Sequence, residues 1–387
     1  MATIPFKGAT TAQFYIEETT PGVTPENPSW SPLRSTSGVP SVTRDALVSN
    51  ELGNGREVSS IRTGNEQVTG EYAIELSQSS QDELLAGALT SSWVAGDTES
   101  GLTISVDADA KTFTRDAGDF TSIVEVGDLV YFEGLTGGNA KPFKASAVTA
   151  TVITGASINW ALTDETDVST DFQTADKIGT GNLCKTYSIL TWFKGKCGTA
   201  DAYVITRGVE FTGFTIDQAI NAMITGSFPF IGLSQEVLAS LPSGSTFTVS
   251  FGAEPFASVD VSALDGDVML KLINSFTITN DNNTSAQFEL GNRSVAFVER
   301  ASANNTFSLA GSLYDTTYIE KFINEDVVEV SSLLSGVNGA MSITLHNCKI
   351  TSAPPEIGGP ESVTLSMEGQ ATGNQNQSSI TIQRITF

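Results

Sequence analysis

A chain built from two copies of one structural unit has few folds open to it, and this sequence reads as such a duplication. The unit is a strand, a long loop, a second strand and a short helix, first seen between Gly38 and Trp93. Val68, Tyr72, Ile74 and Leu76 are spaced mainly by two, the period of a half-buried strand. Ser79 or Ser80 stands where it can cap a short helix, in which Leu84, Leu85, Ala88 and Leu89 make one apolar stripe. A cruder copy follows in the second half. Asn274-Ser-Phe-Thr-Ile-Thr-Asn-Asp281 answers Ser41-Val-Thr-Arg-Asp45, and Glu289-Leu290-Gly291 answers Glu51-Leu52-Gly53. Thr306-Phe-Ser-Leu-Ala-Gly-Ser-Leu313 is the second strand, and Asp315 caps a helix with Tyr318, Ile319, Phe322 and Ile323 on its apolar face. Loop lengths differ between the copies while the elements keep their order.

The 387 residues suffice for two or three domains, each with a real core. Val, Ile, Thr, Phe and Ser abound and helix patterns are few and short, so the expected class is mainly β. A hydrophobic content of 40% and the lack of an apolar run near the ~18 residues that span a bilayer fit a soluble protein. The N-terminus shows no basic segment followed by an apolar core, so export by the usual signal is not expected. Cys184, Cys197 and Cys348 are dispersed without metal spacing and read as buried or stray thiols.

The chain divides as follows. Residues 1–38 form an arm punctuated by Pro and Gly, carrying Trp30, which is docked on its own domain or buried against a neighbour. Residues 39–96 open the first domain and 179–235 complete it. Between them, 97–178 alternates in short strands around Val126-Gly-Asp-Leu-Val-Tyr-Phe-Glu-Gly134 and reads as a small inserted β barrel or sandwich. This insertion holds 14 acidic and 5 basic side chains, a net of −9, which suits a solvated outer surface. Residues 236–269 read as a linker with a strand at Thr246–Phe251, and 270–387 as the second domain.

The formal charge of −24 excludes a conventional nucleic-acid reader, which needs a basic footprint. It suits solubility, or an acidic surface that repels a polyanion. Catalytic chemistry is poorly supplied. His346 is the single histidine and sits in a strand pattern, so a His-based triad, a zinc site and a two-His iron site lack their ligands. Asp107 with Asp109, and Asp164 with Asp167, lack the spacing of a calcium loop and read as solvated turns. Asp260 and Asp267 invite a glycosidase carboxylate pair, against which the linker composition speaks. No cofactor and no metal is expected.

Several of these segments together resemble the tail tube (major tail) proteins of long-tailed, non-contractile bacteriophages, of the duplicated tube-domain type. The residues that carry the resemblance are Glu17-Glu-Thr-Thr-Pro-Gly-Val-Thr-Pro25, Ser49-Asn-Glu-Leu52 with Arg56, and Gly70 followed by Glu75-Leu76. Arg207-Gly-Val-Glu-Phe211 with Gly226-Ser-Phe-Pro-Phe-Ile-Gly232, and Phe276-Thr-Ile-Thr-Asn-Asp-Asn282 with Gly311-Ser-Leu-Tyr314, extend it over nearly the whole chain. The 126–134 segment is similar to a β module inserted in some members.

The resemblance implies two tandem tube-type β-sandwich or barrel domains, each flanked by a short helix, plus the small inserted domain. It implies a non-enzymatic virion protein, made in the bacterial host cytoplasm, that assembles into stacked rings forming the conduit for DNA delivery. The implied partners are the chain itself, as a homotrimer with pseudo-sixfold symmetry or alternatively a homohexamer, and the tape measure, tail terminator and distal tail proteins. Genomic DNA is in transit without specific binding. On this reading Arg44, Arg56, Arg62 and Trp30 are candidates for contacts between rings, and Glu71 and Glu75 for the lumen, opposite Tyr72, Ile74 and Leu76. A secreted or surface adhesin or surface-layer protein is the alternative, and it predicts a secretion signal.

Overall fold

The computed structural model describes residues 5–52, 56–156, 158, 160–196, 200–248, 253–359, 362–374 and 377–387. Gly53, Cys197 and the end of the 246–251 strand reading lie outside them. Among the described residues the chain is mainly β with two short α-helices, in two tandem repeats, each bearing one helix, with a barrel inserted into the first.

Each repeat has an outer sheet with the same pairing order. In the first, Thr11–Glu17 pairs with Tyr187–Phe193, which pairs with Ala202–Phe211, which pairs with Ser234–Leu238. In the second, Val261–Asp265, Val327–Ser335, Gly339–Ser352 and Ile380–Thr386 follow the same sequence. The inner strands repeat as well. Ser41–Val48, Ile61–Glu75, Thr225–Gly232 and Gly213–Ala219 lie side by side in the first copy. Ile273–Asp281, Asn304–Ser312, Thr364–Gln370 and Pro355–Glu356 do so in the second. Seven residue pairs, from Gly213 opposite Asp281 to Ala219 opposite Ser275, join the two sets into one eight-stranded sheet.

Alternation explains which face is buried. Tyr72, Ile74, Leu76, Phe214, Ile216, Phe228, Phe276, Ile278, Phe307, Leu309 and Met367 all point into one continuous apolar core shared by both repeats. Helix Asp82–Ala88 seals it, burying Leu84, Leu85 and Ala88. Ser79 and Ser80 do not cap this helix. Gln81 precedes it and turns inward, its Oε1 accepting from the Ser77 amide at 3.1 Å. Asp315 does not occupy the cap of helix Thr317–Ile323: Thr316 does, without a side-chain cap bond, while Asp315 one residue earlier accepts from the Thr317 amide at 3.0 Å, and no residue of that helix is buried.

Two readings of the sequence are corrected. The arm is not free: Thr11–Glu17 makes seven pairs with Tyr187–Phe193. Its periodicity is weak because both of its faces are partly covered, Tyr15 against the main core and Phe14 and Ile16 against the Trp30 cluster. The 236–269 stretch is not a linker either. With Ser234 it supplies the last strand of the first outer sheet, and with Val261–Asp265 the first strand of the second. These strands are only five residues long, so little periodicity is written into them.

Six strands between Thr98 and Thr174 close into a barrel with its own core, in which Phe113, Phe132 and Phe143 stack and Phe120 and Phe172 pack at their edges. The barrel is fastened to the second repeat. Gln383 accepts from the Leu129 amide at 2.6 Å, and the Tyr131 and Phe387 rings stack at 4.7 Å.

Candidate functional site

The surfaces that matter in this molecule are the exposed face, the two edges and the projecting hairpins of the eight-stranded sheet. On the exposed face, Glu71 stands opposite Pro229 and Glu75 opposite Thr225, while Tyr72, Ile74 and Leu76 between them are buried. Registered with them are Asp217, Asp281 and Glu368, set among Thr215, Ser275, Thr279, Ser308 and Ser366. Thr277 bonds Asp217 across the junction of the repeats at 2.7 Å. Among the described residues in register on this face the one cation is Lys349, opposite Gln370, and its ammonium is bound to the Glu325 carbonyl. Asp217 and Glu368 were readable by the same alternation that marks Glu71 and Glu75.

The sheet ends in two edges. Among the described residues Ser41–Val48 pairs only with Ile61–Glu75, and Pro355–Glu356 only with Thr364–Gln370. The Glu66 amide points away from Ser41–Val48, donating to the Arg293 carbonyl at 2.8 Å. In an antiparallel ladder this puts the backbone groups of Val42 and Arg44, opposite Val68 and Glu66, on the open side. A sheet edge with free amides is a template for another strand.

The strands Ser41–Val48 and Ile61–Glu75 run on beyond the core as a hairpin. Leu47, Val48, Val58 and Ile61 are exposed on it, and Leu52 at its tip is 101% exposed. The second repeat projects the shorter hairpin Ser285–Phe288 with Val295–Glu299, whose tip Leu290 is 105% exposed. The two lie together, Glu66 bridging to Ser294. Of the basic candidates, Arg44 is tied to Glu66 at 2.6 Å. Arg62 stands exposed opposite Leu47, and Arg56 lies in the exposed turn; among the described residues no contact brings the three together. The tip leucines were missed as candidates although their Glu-Leu-Gly setting was seen twice.

Trp30 is withdrawn from the candidates for contacts between rings. It is wholly buried against Leu190 and Ile205, and its indole donates to Ser245 Oγ at 3.1 Å. Phe247 pairs with it on a parallel strand, so the former linker closes over the former arm.

Several titratable groups are held by their neighbours. His346 contacts Glu329 through Nδ1 at 2.9 Å and Thr381 through Nε2 at 3.0 Å. That hydrogen bond, aided by the Lys144 charge, holds the Glu329 carboxyl below the usual glutamate range although burial opposes it. Lys144 comes from the barrel, is itself buried, and donates to Thr344 at 3.1 Å and Ser331 at 3.3 Å; burial lowers its pKa. Burial likewise pushes the Cys348 thiol up to about 12, while Cys184 is exposed. Asp107 and Asp260 each accept from a backbone amide three residues away, of Ala110 and Ala257, as turn carboxylates do, and Asp164 accepts from the Ala108 amide of a neighbouring segment. Among the described residues no group of three His, Cys, Asp or Glu is arranged to hold a metal, and no helix is long and apolar enough to cross a membrane.

A family model described as phage tail tube protein matches residues 8–371 of the chain. No curated protein matches it.

Proposed function

Because the chain belongs to the phage tail tube protein family, we propose that it closes into a ring by adding one chain's sheet to the next and that stacked rings form the conduit for DNA. It is a structural protein of the phage tail and its place is the virion. The observation that carries the ring is the junction inside the chain. There Ile273–Asp281, the first inner strand of the second repeat, pairs with Gly213–Ala219, the last inner strand of the first. The same two positions at the ends of the sheet are open, Ser41–Val48 in the first repeat and Pro355–Glu356 in the second. Ser41–Val48 of the next copy completes the pairing, and heterologous contacts that close by rotation leave no edge free. Two repeats per chain then require three chains for pseudo-sixfold closure.

In such a ring the exposed face bearing Glu71, Glu75, Asp217, Asp281 and Glu368 lines the bore. An acidic lining keeps a polyanion from finding holding sites, since each basic contact would release counterions and bind. The hairpin tips at Leu52 and Leu290 reach the next ring. The chain acts as a structural subunit, and its partners are the tape measure, tail terminator and distal tail proteins.

Electron microscopy of the purified protein tests this, with rings or tubes expected. Val42→Pro removes an amide on the open edge and leaves the ladder to Ile61–Glu75 intact. It should give a folded chain that sediments as a monomer. Rings formed by this variant at the unmodified level would rule out closure through that edge.

A further inference from the structure

Helices Asp82–Ala88 and Thr317–Ile323 have the same length and the same place in their repeats. One packs on Ala202–Phe211 and the other on Gly339–Ser352, strands that correspond in the pairing order. Their surroundings differ sharply. The first is sealed by the second repeat: Arg384 of strand Ile380–Thr386 pairs with Asp82, and Asn282 donates to the Ala88 carbonyl at 2.6 Å. Arg384 also lies 4.3 Å above the Trp93 ring, and Gln78 donates to the Ile385 carbonyl at 2.9 Å. The second helix has no such cover. Phe322 is 39% and Ile323 70% exposed, and Val327 just beyond is 56% exposed. Where the first helix ends in Gly87 and Ala88, the second ends in these two large apolar side chains.

We propose that helix Thr317–Ile323 docks on the first repeat of a second copy of this chain, against strand Ser234–Leu238. The proposal rests on the ring reading above. The occupant follows from the interface already present within the chain. Ile380–Thr386, which faces the first helix, is the last strand of its outer sheet, and Ser234–Leu238 is the last strand of the other. Among the described residues Ser234–Leu238 pairs on one side only and carries Val237 at 75% exposure. The space beside the first helix is filled by the chain entering and leaving the barrel, where Val94 bridges to Lys177 and Asp176–Gly179 pairs with Ile380–Thr386. Only three residues separate the second helix from Val327–Ser335, so no such segment exists there. Larger side chains on the helix fill that gap against a neighbour. Apolar surface of this kind is removed from water when the copies meet.

Two measurements decide it. In a chain with Cys184 and Cys197 changed to serine, Val237→Cys and Ile323→Cys together should give disulfide-linked chains when assembled protein is oxidised with diamide. The ladder should end at the trimer, and neither single variant should give one. Separately, Ile323→Asp, at an exposed position, should keep the unmodified denaturation midpoint and lower ring yield by about tenfold or more, the effect of roughly 1.4 kcal/mol. Rings without the linked species, or rings of Ile323→Asp at the unmodified level, overturn the docking and leave the ring reading standing. If the unmodified protein forms no rings, the ring reading falls and the docking with it.

Discussion

Gly70 lies directly opposite Phe230 across the inner strands, and a Cβ on the glycine would meet that ring at 2.5 Å. The Phe230 ring cannot swing away, because it is stacked at 4.9 Å on Tyr72 and buried against Phe211. The second repeat uses the same device with the partners exchanged between strands: Phe307 covers Gly369, where a Cβ would meet the ring at 2.4 Å. In each case a glycine in a sheet marks a close approach rather than a break.

Gly70→Ala should therefore destabilise the chain by about 1–3 kcal/mol, the usual cost of overpacking a filled core. The denaturant midpoint measures this, with Gly8→Ala as the control, since nothing lies within 4 Å of a Cβ there. Equal midpoints for the two variants would show that the ring yields freely.

Removing residues 1–37 should unfold the first repeat rather than merely weaken stacking. The deletion takes away the Thr11–Glu17 edge strand and Trp30. Trp30→Ala alone should cost about 3–5 kcal/mol, as for other buried tryptophans. A truncated protein with the full-length melting profile would return this segment to the status of a free arm.

Acid should loosen the contact between barrel and second repeat. The folded pKa of Glu329 lies below its ordinary value, so its contribution is present above about pH 4.3 and is lost as pH falls through the lower folded value. Glu329→Gln should flatten that acid limb of the stability profile. An acid limb identical in the two proteins assigns the loss to other carboxylates.

Leu52→Asp and Leu290→Asp should leave fold and rings intact and shorten or abolish tubes. Both side chains are wholly exposed, so neither substitution disturbs the core. Tubes of normal length from the double variant, seen by electron microscopy, place the joint between rings elsewhere.

Charge reversal tests the bore. Tubes of Glu71→Lys/Glu75→Lys should retain duplex DNA at low salt and release it steeply as salt rises, whereas unmodified tubes should not retain it. If both behave alike, these two side chains do not face the DNA path.

Much of this was legible in the residues. The alternation of Tyr72, Ile74 and Leu76 with Glu71, Ala73 and Glu75 gave the correct buried face, because burial acts on side chains and strands expose alternate ones. The small β unit around Val126–Gly134 was visible for the same reason, its strands carrying the aromatic residues of a core. Thr11–Glu17 was not, since two partial covers erase alternation, and Trp30 looked available because its cover arrives from 241–247, far along the chain.

The sequence by itself determined the class, the repetition of the unit and the face of each long strand that meets the core. Those are consequences of where apolar side chains fall along the chain. The tertiary structure alone decided that Gly213–Ala219 takes Ile273–Asp281 as its neighbour, that Ser41–Val48 is left open, and that one helix is covered while its counterpart is bare. Strand edges are joined by backbone amides and carbonyls, which are the same for nearly every residue. No side-chain pattern therefore names an edge's partner until the folded chain has used up the others.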